Sequence, residues 1–294
     1  MKPAPFRYFR ANSLAEAFAA YAEAEGDCTY MAGGQSLLPV LSLRLQTPSL
    51  VIDISRLEEL RGVSLDDGLL RIGALTRHNE TLHSPEIARY APLLSKAAPY
   101  VAHPAIRNKG TIGGTIAHAD PAAEFPGMML ALDAEFEIAN SEGRRREPAN
   151  GFFRGLYETG IAPGEILVAI HAPLFGEHDR CAYHELARRR GDYPLVGCGV
   201  RATIRDGVAT NGRFAFIAVG AVPQRAFAAE AAIEGQPLDE TAIAAAQAAL
   251  EQDLQPDDDS ETTGAMRLHL AKVLLGRLLC EIALSPSKAV EAAA

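Results

Sequence analysis

The apolar and polar positions at the start of the chain read β-α-β. Residues 6–10 have strand character. Ser13 caps a helix, with Glu16 three residues on to complete a capping box, and alanine and leucine carry the helix to a stop at Gly26. Residues 28–31 form a short strand that runs into Ala32-Gly33-Gly34-Gln35-Ser36. A second helical stretch, 37–45, and an apolar strand, 50–54, follow. Asp67-Gly68 then separates strand segments 62–65 and 69–72, a hairpin signal. Helical segments around 78–83 and 93–98 are bounded by proline. The second glycine cluster, Thr111-Ile112-Gly113-Gly114-Thr115, precedes Asp120-Pro121 and a helix over 122–132. Strands 135–138 and 166–170 bracket a polar stretch holding Arg144, Arg145 and Arg146. Near residue 175 the texture changes to an antiparallel meander: 181–186, 200–205, a turn at Asp206-Gly207, and 213–219. Alanine-rich segments 226–233, 240–251 and 266–282 carry apolar residues at helical spacing. The pattern is α+β: a nucleotide-binding region to about residue 175, then a domain of three strands and three helices.

Composition narrows the function. The chain has 294 residues, 48% hydrophobic and 22% charged, as a globular domain pair requires. A net charge of -9 argues against a nucleic-acid partner. The run Arg188-Arg189-Arg190 reads first as a solvated surface. The N-terminus lacks the apolar run of a signal peptide, and no stretch reaches the roughly 18 apolar residues of a membrane span. Four scattered cysteines (Cys28, Cys181, Cys198 and Cys280) fit reduced thiols in a cytoplasm. They offer no pattern for an iron–sulfur cluster or zinc, so no metal ligands are expected on this chain.

The chemistry resides in the glycine clusters. Glycine admits positive φ and close approach, and successive N–H groups in such a turn make an anion nest. In the first cluster the following helix adds amides and its dipole, and Ser36 adds a hydroxyl. A Gly-Gly pair between elements is commonly just a turn. Two such pairs, each beside hydroxyl residues, suit the two phosphates of a dinucleotide. Gly197-Cys198-Gly199-Val200-Arg201-Ala202 fits a G-x-G-x-x-A pattern, but the residues after it are strand-like, so it reads as close strand packing. No Walker-type lysine, H-E-x-x-H or G-x-S-x-G occurs.

At these clusters the sequence resembles the FAD-binding medium subunit of the molybdenum hydroxylases, the family of carbon monoxide, xanthine and nicotine dehydrogenases. The shared landmarks are Ala32-Gly33-Gly34-Gln35-Ser36-Leu37, the run from Ile106 through Thr115, and Ala117-His118-Ala119-Asp120-Pro121-Ala122-Ala123-Glu124. Later come Pro163-Gly164-Glu165-Ile166-Leu167 and the run from Arg188 to Leu195. The resemblance covers most of the chain and is weakest in the alanine-rich C-terminal region. It implies a vanillyl-alcohol-oxidase (PCMH)-type FAD-binding domain over 1–175, of two α/β lobes (about 1–58 and 59–175). A smaller domain over 176–294, like the C-terminal domain of carbon monoxide dehydrogenase flavoproteins, would follow. It also implies that Ala32, Gly33, Gly34, Gln35, Ser36 and Leu37, with Thr111, Gly113, Gly114 and Thr115, wrap the FAD pyrophosphate. Asp120, Glu124, Ile166, Leu167, His184 and Tyr193 complete the implied cofactor set. Glu124 stands where the family has an aspartate near the adenosine. Tyr193 matches a residue near the flavin ring. His184 and Glu185 occupy the neighbourhood of a family lysine, with Arg188 or Arg189 as alternative positive groups for the flavin's N1–C2=O edge.

The resemblance implies a divided chemistry. A molybdopterin large subunit hydroxylates substrate, an iron–sulfur small subunit with [2Fe-2S] clusters relays electrons, and FAD on this chain passes them to an external acceptor. The assembly would be a dimer of heterotrimers. No catalytic acid–base set is found here. His118 and His103-Pro104 read as packing and turn residues, His78 as a possible approach to the cofactor from the second lobe, and Cys181 and Cys198 as small core residues. Two other functions stand beside this one: a self-contained flavin reductase or oxidase on the same fold, and a non-catalytic nucleotide-binding module.

Overall fold

The computed structural model describes residues 2–189 and 191–285. Three larger sheets, and a two-stranded one within the second unit, follow one another along the described chain. The first contains β1 (Arg7–Arg10), α1 (Leu14–Glu23), β2 (Cys28–Met31), α2 (Leu37–Ser42) and β3 (Leu50–Asp53), with parallel strands in the order β1-β3-β2. Central β3 is buried along its whole length, and α1 covers it with Leu14, Ala17 and Ala20. Ser13 caps α1 by accepting from the Glu16 amide at 3.2 Å, while the Glu16 carboxylate reaches one residue past the cap to the Asn12 amide at 2.9 Å. Helix α2 is shorter than the pattern suggests. Arg44 turns left-handed (φ 57°) and the Leu45 amide bonds back to the Val40 carbonyl, a Schellman-like stop.

The second unit begins with β4 (Val63–Asp66) and β5 (Leu69–Gly73). Asp67 and Gly68 both take positive φ between them, as a primed hairpin turn requires. Six short helices follow: α3 (His78–His83), α4 (Pro85–Tyr90), α5 (Pro92–Ala97), α6 (Pro104–Arg107), α7 (Ile112–His118) and α8 (Glu124–Ala131). Then come β6 (Glu135–Ala139), β7 (Arg144–Pro148), a small hairpin of β8 (Phe153–Gly155) and β9 (Glu158–Thr159), and β10 (Ile166–Pro173). The sheet runs β4-β5-β10-β6-β7, all antiparallel. The polar arginine stretch is therefore edge strand β7. Arg144 bonds Glu137 at 2.6 Å and Arg145 bonds Glu165 at 2.7 Å, and such edge charges oppose pairing with a further strand.

The third unit holds β11 (Asp179–Ala187), β12 (Pro194–Arg205), β13 (Val208–Ile217), β14 (Gln224–Arg225), α9 (Phe227–Ile233), β15 (Gln236–Pro237), α10 (Glu240–Asp253) and α11 (Gly264–Leu284). Three long antiparallel strands carry two two-residue strands at the edge of β13. One face of this sheet takes α9, α10 and α11. The other meets α8, which is buried on all sides. Gly197 and Gly199 lie inside β12; Gly199 permits that contact, and Gly197 makes room for Ile217 of the neighbouring strand. A Cβ on Gly199 would fall 2.5 Å from the Met128 sulfur, and one on Gly197 would fall 2.7 Å from Ile217 Cγ1. This is the close packing expected of the G-x-G stretch. Cys198 is fully buried and Cys181 nearly so, as small core residues. Arg188 pairs with Glu261 and Arg189 with Asp192, whereas Arg190 lies outside the described residues.

Candidate cofactor cleft

The loops of all three units open onto one cleft of about 1060 Å³. Its walls come from 29–37 after β2, from 101–124 around α6 and α7, from 154–167, and from 191–194 before β12. The first glycine segment leaves the carboxyl end of β2, where open parallel sheets bind ligands. Gly34 has φ +71°. The amides of Gly33, Gly34, Gln35 and Ser36 donate to no acceptor among the described residues. Ser36 precedes α2 without capping it, so its hydroxyl is also free to meet a ligand. The six-residue α2 has a weaker dipole than a full helix, so the free amides matter more than the sequence pattern implied. Gln35 spends one of its two Nε2 N–H groups on the Gly33 carbonyl at 3.0 Å, which leaves the other for a ligand.

The second glycine segment departs from the expected open turn. Gly113 and Gly114 lie in the first turn of α7, which Thr111 caps by accepting from the Gly114 amide at 3.1 Å. The Ile112 amide bonds Thr76 O, the Gly113 amide bonds Ala74 O, both at 2.9 Å, and the Thr115 amide bonds Thr111 O at 3.1 Å. Four amides that the cluster was expected to offer are thus already engaged. Glycine is required there by packing. A Cβ on Gly113 would lie 2.4 Å from that of Ala74. Of the two hydroxyl residues that line the cleft here, Thr111 spends its oxygen on the cap, which leaves Thr115 as the side-chain donor of the segment.

The two segments touch. A Cβ on Gly33 would fall 2.3 Å from the Lys109 carbonyl oxygen and 2.9 Å from Gly110 Cα. One on Gly114 would approach Ala32 Cβ at 3.8 Å. Arg77 holds the same junction by donating to the Lys109 carbonyl.

Most of the sequence-derived cofactor set lines this cleft: Ala32, Gly33, Gly34, Gln35, Ser36, Leu37, Thr111, Gly113, Gly114, Thr115, Asp120, Glu124, Ile166, Leu167 and Tyr193. Asp120 shapes the approach to α8 through an Asx turn, accepting from the Ala122 amide at 2.9 Å. Tyr193 stands at the rim, 70% exposed. His184 is not brought in. It lies outside the lining, on β11, where its Nδ1 is bonded to the Tyr100 hydroxyl at 2.6 Å. Arg188 and Arg189 are also outside the lining and are held in surface ion pairs.

Sequence pattern does not reveal Tyr157 and Arg154. They reach the cleft on the β8–β9 hairpin, whose strands of three and two residues are too short to show a period. Tyr157 stacks on His118 with centroids 4.9 Å apart, which gives that histidine its packing role.

Burial shifts carboxyl and imidazole groups in and beside the cleft. Burial raises the Glu124 carboxyl to about 8, with Glu185 and Asp120 adding to the effect. Glu185 is raised to about 6 by burial and accepts from the Tyr183 hydroxyl at 2.7 Å. Burial lowers His78 to about 4, with help from the Arg107 cation. At neutral pH Glu124 is therefore a hydrogen-bond donor. Arg107 itself ties down the strip before α6, donating to the Val101 and Ala102 carbonyls, each at 2.9 Å. Among the described residues no group of histidine, cysteine and carboxylate side chains could hold a metal, and no helix is long and apolar enough to cross a membrane.

A dinucleotide-sized cleft with free backbone amides and a free hydroxyl on its wall has the geometry of a nucleotide-cofactor site. Comparison with known proteins makes the class specific. Residues 4–175 match the family described as "FAD binding domain in molybdopterin dehydrogenase", and residues 181–282 match the "CO dehydrogenase flavoprotein C-terminal domain". The chain is 36% identical to 6-hydroxypseudooxynicotine dehydrogenase complex subunit alpha of Paenarthrobacter nicotinovorans, covering 96% of this chain and 95% of that one. It is also 36% identical to the carbon monoxide dehydrogenase medium chain of Hydrogenophaga pseudoflava, over 90% and 94% of the two chains. The solved carbon monoxide dehydrogenase from Hydrogenophaga pseudoflava superposes with a TM-score of 0.93, covering 96% of this chain and 98% of that one at 36% identity. The chain belongs to the family of FAD-binding medium subunits of multi-subunit molybdenum hydroxylases.

Proposed function

We propose that this chain holds one FAD in the cleft and passes electrons from the iron–sulfur clusters of a partner subunit to an external acceptor. The junction of Gly33 with Lys109 and Gly110 carries this reading, because it joins the two glycine segments over a single cavity. The residues suit the cofactor. A volume of about 1060 Å³ slightly exceeds the roughly 300–1,000 Å³ of ordinary small-molecule pockets. The amides of 33–36 and the hydroxyls of Ser36 and Thr115 would hold the diphosphate. Glu124, as a neutral acid, would donate to an uncharged acceptor of the nucleotide. Ile166 and Leu167, both buried, would exclude water from an apolar part of the cofactor, and Tyr193 would cover the ring at the rim. Bound FAD supplies the exchange between two-electron and one-electron redox steps, which no side chain here provides.

In this reading residues 1–175 form the FAD-binding domain, in lobes of about 1–58 and 59–175, and 176–294 the C-terminal domain. The molybdopterin and [2Fe-2S] centres reside on large and small partner subunits, assembled as a dimer of heterotrimers in the cytoplasm. Extraction of the purified chain tests the first part: one FAD per chain is expected. Co-purification with metal analysis tests the second. Substrate should bleach the flavin only when the partners are present. Bleaching of the isolated chain would make it a self-contained reductase, and a chain that takes no FAD would make it a non-catalytic module.

A further inference from the structure

His78 opens α3 with its side chain buried in the cleft wall. Its ring is fixed in place. The Phe125 ring packs against it with centroids 5.2 Å apart, and a Cβ on Gly110 would fall 2.7 Å from its Cδ2 and 2.8 Å from its Nε2. Nε2 is 3.1 Å from Thr115 Oγ1, and Nδ1 is buried without a partner among the described residues. Burial, with the Arg107 cation adding to it, keeps the ring neutral. A neutral imidazole has one N–H. Placed on Nδ1, that proton would be a buried donor with no acceptor, which folded proteins avoid more strictly than an unused lone pair. Placed on Nε2, it is satisfied by Thr115. The Thr115 hydroxyl, accepting from the imidazole, then has its own proton left to donate. Its oxygen is not bonded back to the preceding helical turn, and the residue lines the cleft.

We propose that His78 is a positioning residue: it donates from Nε2 to Thr115 Oγ1 and so directs the Thr115 hydroxyl proton into the cleft, toward a phosphate oxygen of the bound dinucleotide. This rests on the reading that the cleft takes FAD, and it gives the second glycine segment a donor to replace its occupied amides.

Two measurements on the full-length chain test it. In the first, ¹⁵N-histidine spectra should show His78 as the Nε2–H tautomer, unprotonated across neutral pH. In the second, FAD dissociation is followed by flavin fluorescence. His78→Phe and Thr115→Val should each weaken FAD by roughly tenfold, the effect of one hydrogen bond to a charged group. The double variant should bind no more weakly than Thr115→Val alone. His78→Gln keeps an N–H near the Nε2 position and should recover most of the affinity. An Nδ1–H tautomer, or additive losses in the double variant, overturns the inference while leaving the FAD reading intact. A wild-type chain that takes no FAD overturns both. If His78→Phe does not fold, the tautomer of the wild-type chain and the Gln variant decide the matter.

Discussion

The two glycine segments look alike in sequence: each has a Gly-Gly pair with hydroxyl residues beside it. Their structures use glycine differently. At 33–36 the backbone leaves the end of β2 with Gly34 left-handed, and its amides point at nothing in the described protein. From Ile112 on the backbone is already helical, every amide from Ile112 to Thr115 has a protein acceptor, and Gly113 lets α7 press on Ala74. The first segment is a backbone site. The second is a rigid support that holds hydroxyls in place and gives the first something to rest on. The same motif can thus mean ligand contact or close packing, and only the hydrogen-bond accounting tells them apart.

The largest expected effect is at the point where the segments meet. Gly33→Ala would place a methyl 2.3 Å from a backbone oxygen that cannot swing away. The first loop must lift off the second, with a cost at or above the roughly 1–3 kcal/mol of overpacking. FAD binding should be lost and the melting temperature of the FAD-free chain should fall. An FAD-replete Gly33→Ala protein would show that the segments need not touch.

The next pair separates the segments. Ser36→Ala removes a hydroxyl that caps nothing, so the FAD-free chain should melt unchanged. FAD affinity should drop by about 1.5–3 kcal/mol if that hydroxyl donates to phosphate. Gly113→Ala should do the reverse. It should destabilise the FAD-free chain by about 1–3 kcal/mol through its clash with Ala74, with a smaller change in FAD affinity for the protein that remains folded. Paired thermal melts and FAD titrations of both variants check this. Equal losses on both axes for both variants would erase the distinction.

How much of this is legible in the sequence follows from the range of the interactions. The β-α-β start, the Asp67-Gly68 turn, and the strand after Gly197-Cys198-Gly199 depend on neighbours in the chain, and the structure has them, with β12 starting earlier, at Pro194. The helical state of 112–118 is hidden because its glycines disfavour a helix on their own. The fold makes α7 through Thr76 and Ala74, which accept its first amides from the far side of α3 to α6. Edge strand β7 is hidden because its arginines mask the strand period, and their partners Glu137 and Glu165 lie on other elements. The resemblance puts His184 in the neighbourhood of a family lysine, while the structure places it outside the cleft lining with its Nδ1 bonded to the Tyr100 hydroxyl. Residue types locate the cleft. Which atoms in it are free is a property of tertiary contacts.

The smallest expected effect is also the most discriminating. Thr111 and Ser36 both precede helices that follow or contain glycine, and both are hydroxyl residues, yet only Thr111 caps. Thr111→Val leaves the Gly114 amide without its acceptor. Loss of a threonine cap costs about 1 kcal/mol, which lowers the melting temperature by at most the roughly 2–4 °C of a 150–250-residue domain. Thr111→Ser restores the oxygen and should restore the stability. The loss should appear without FAD, because the cap belongs to the support and not to the ligand. If Ser36→Ala and Thr111→Val lowered the melting temperature of the FAD-free chain equally, both hydroxyls would be structural, and the first segment would serve packing as much as the second does.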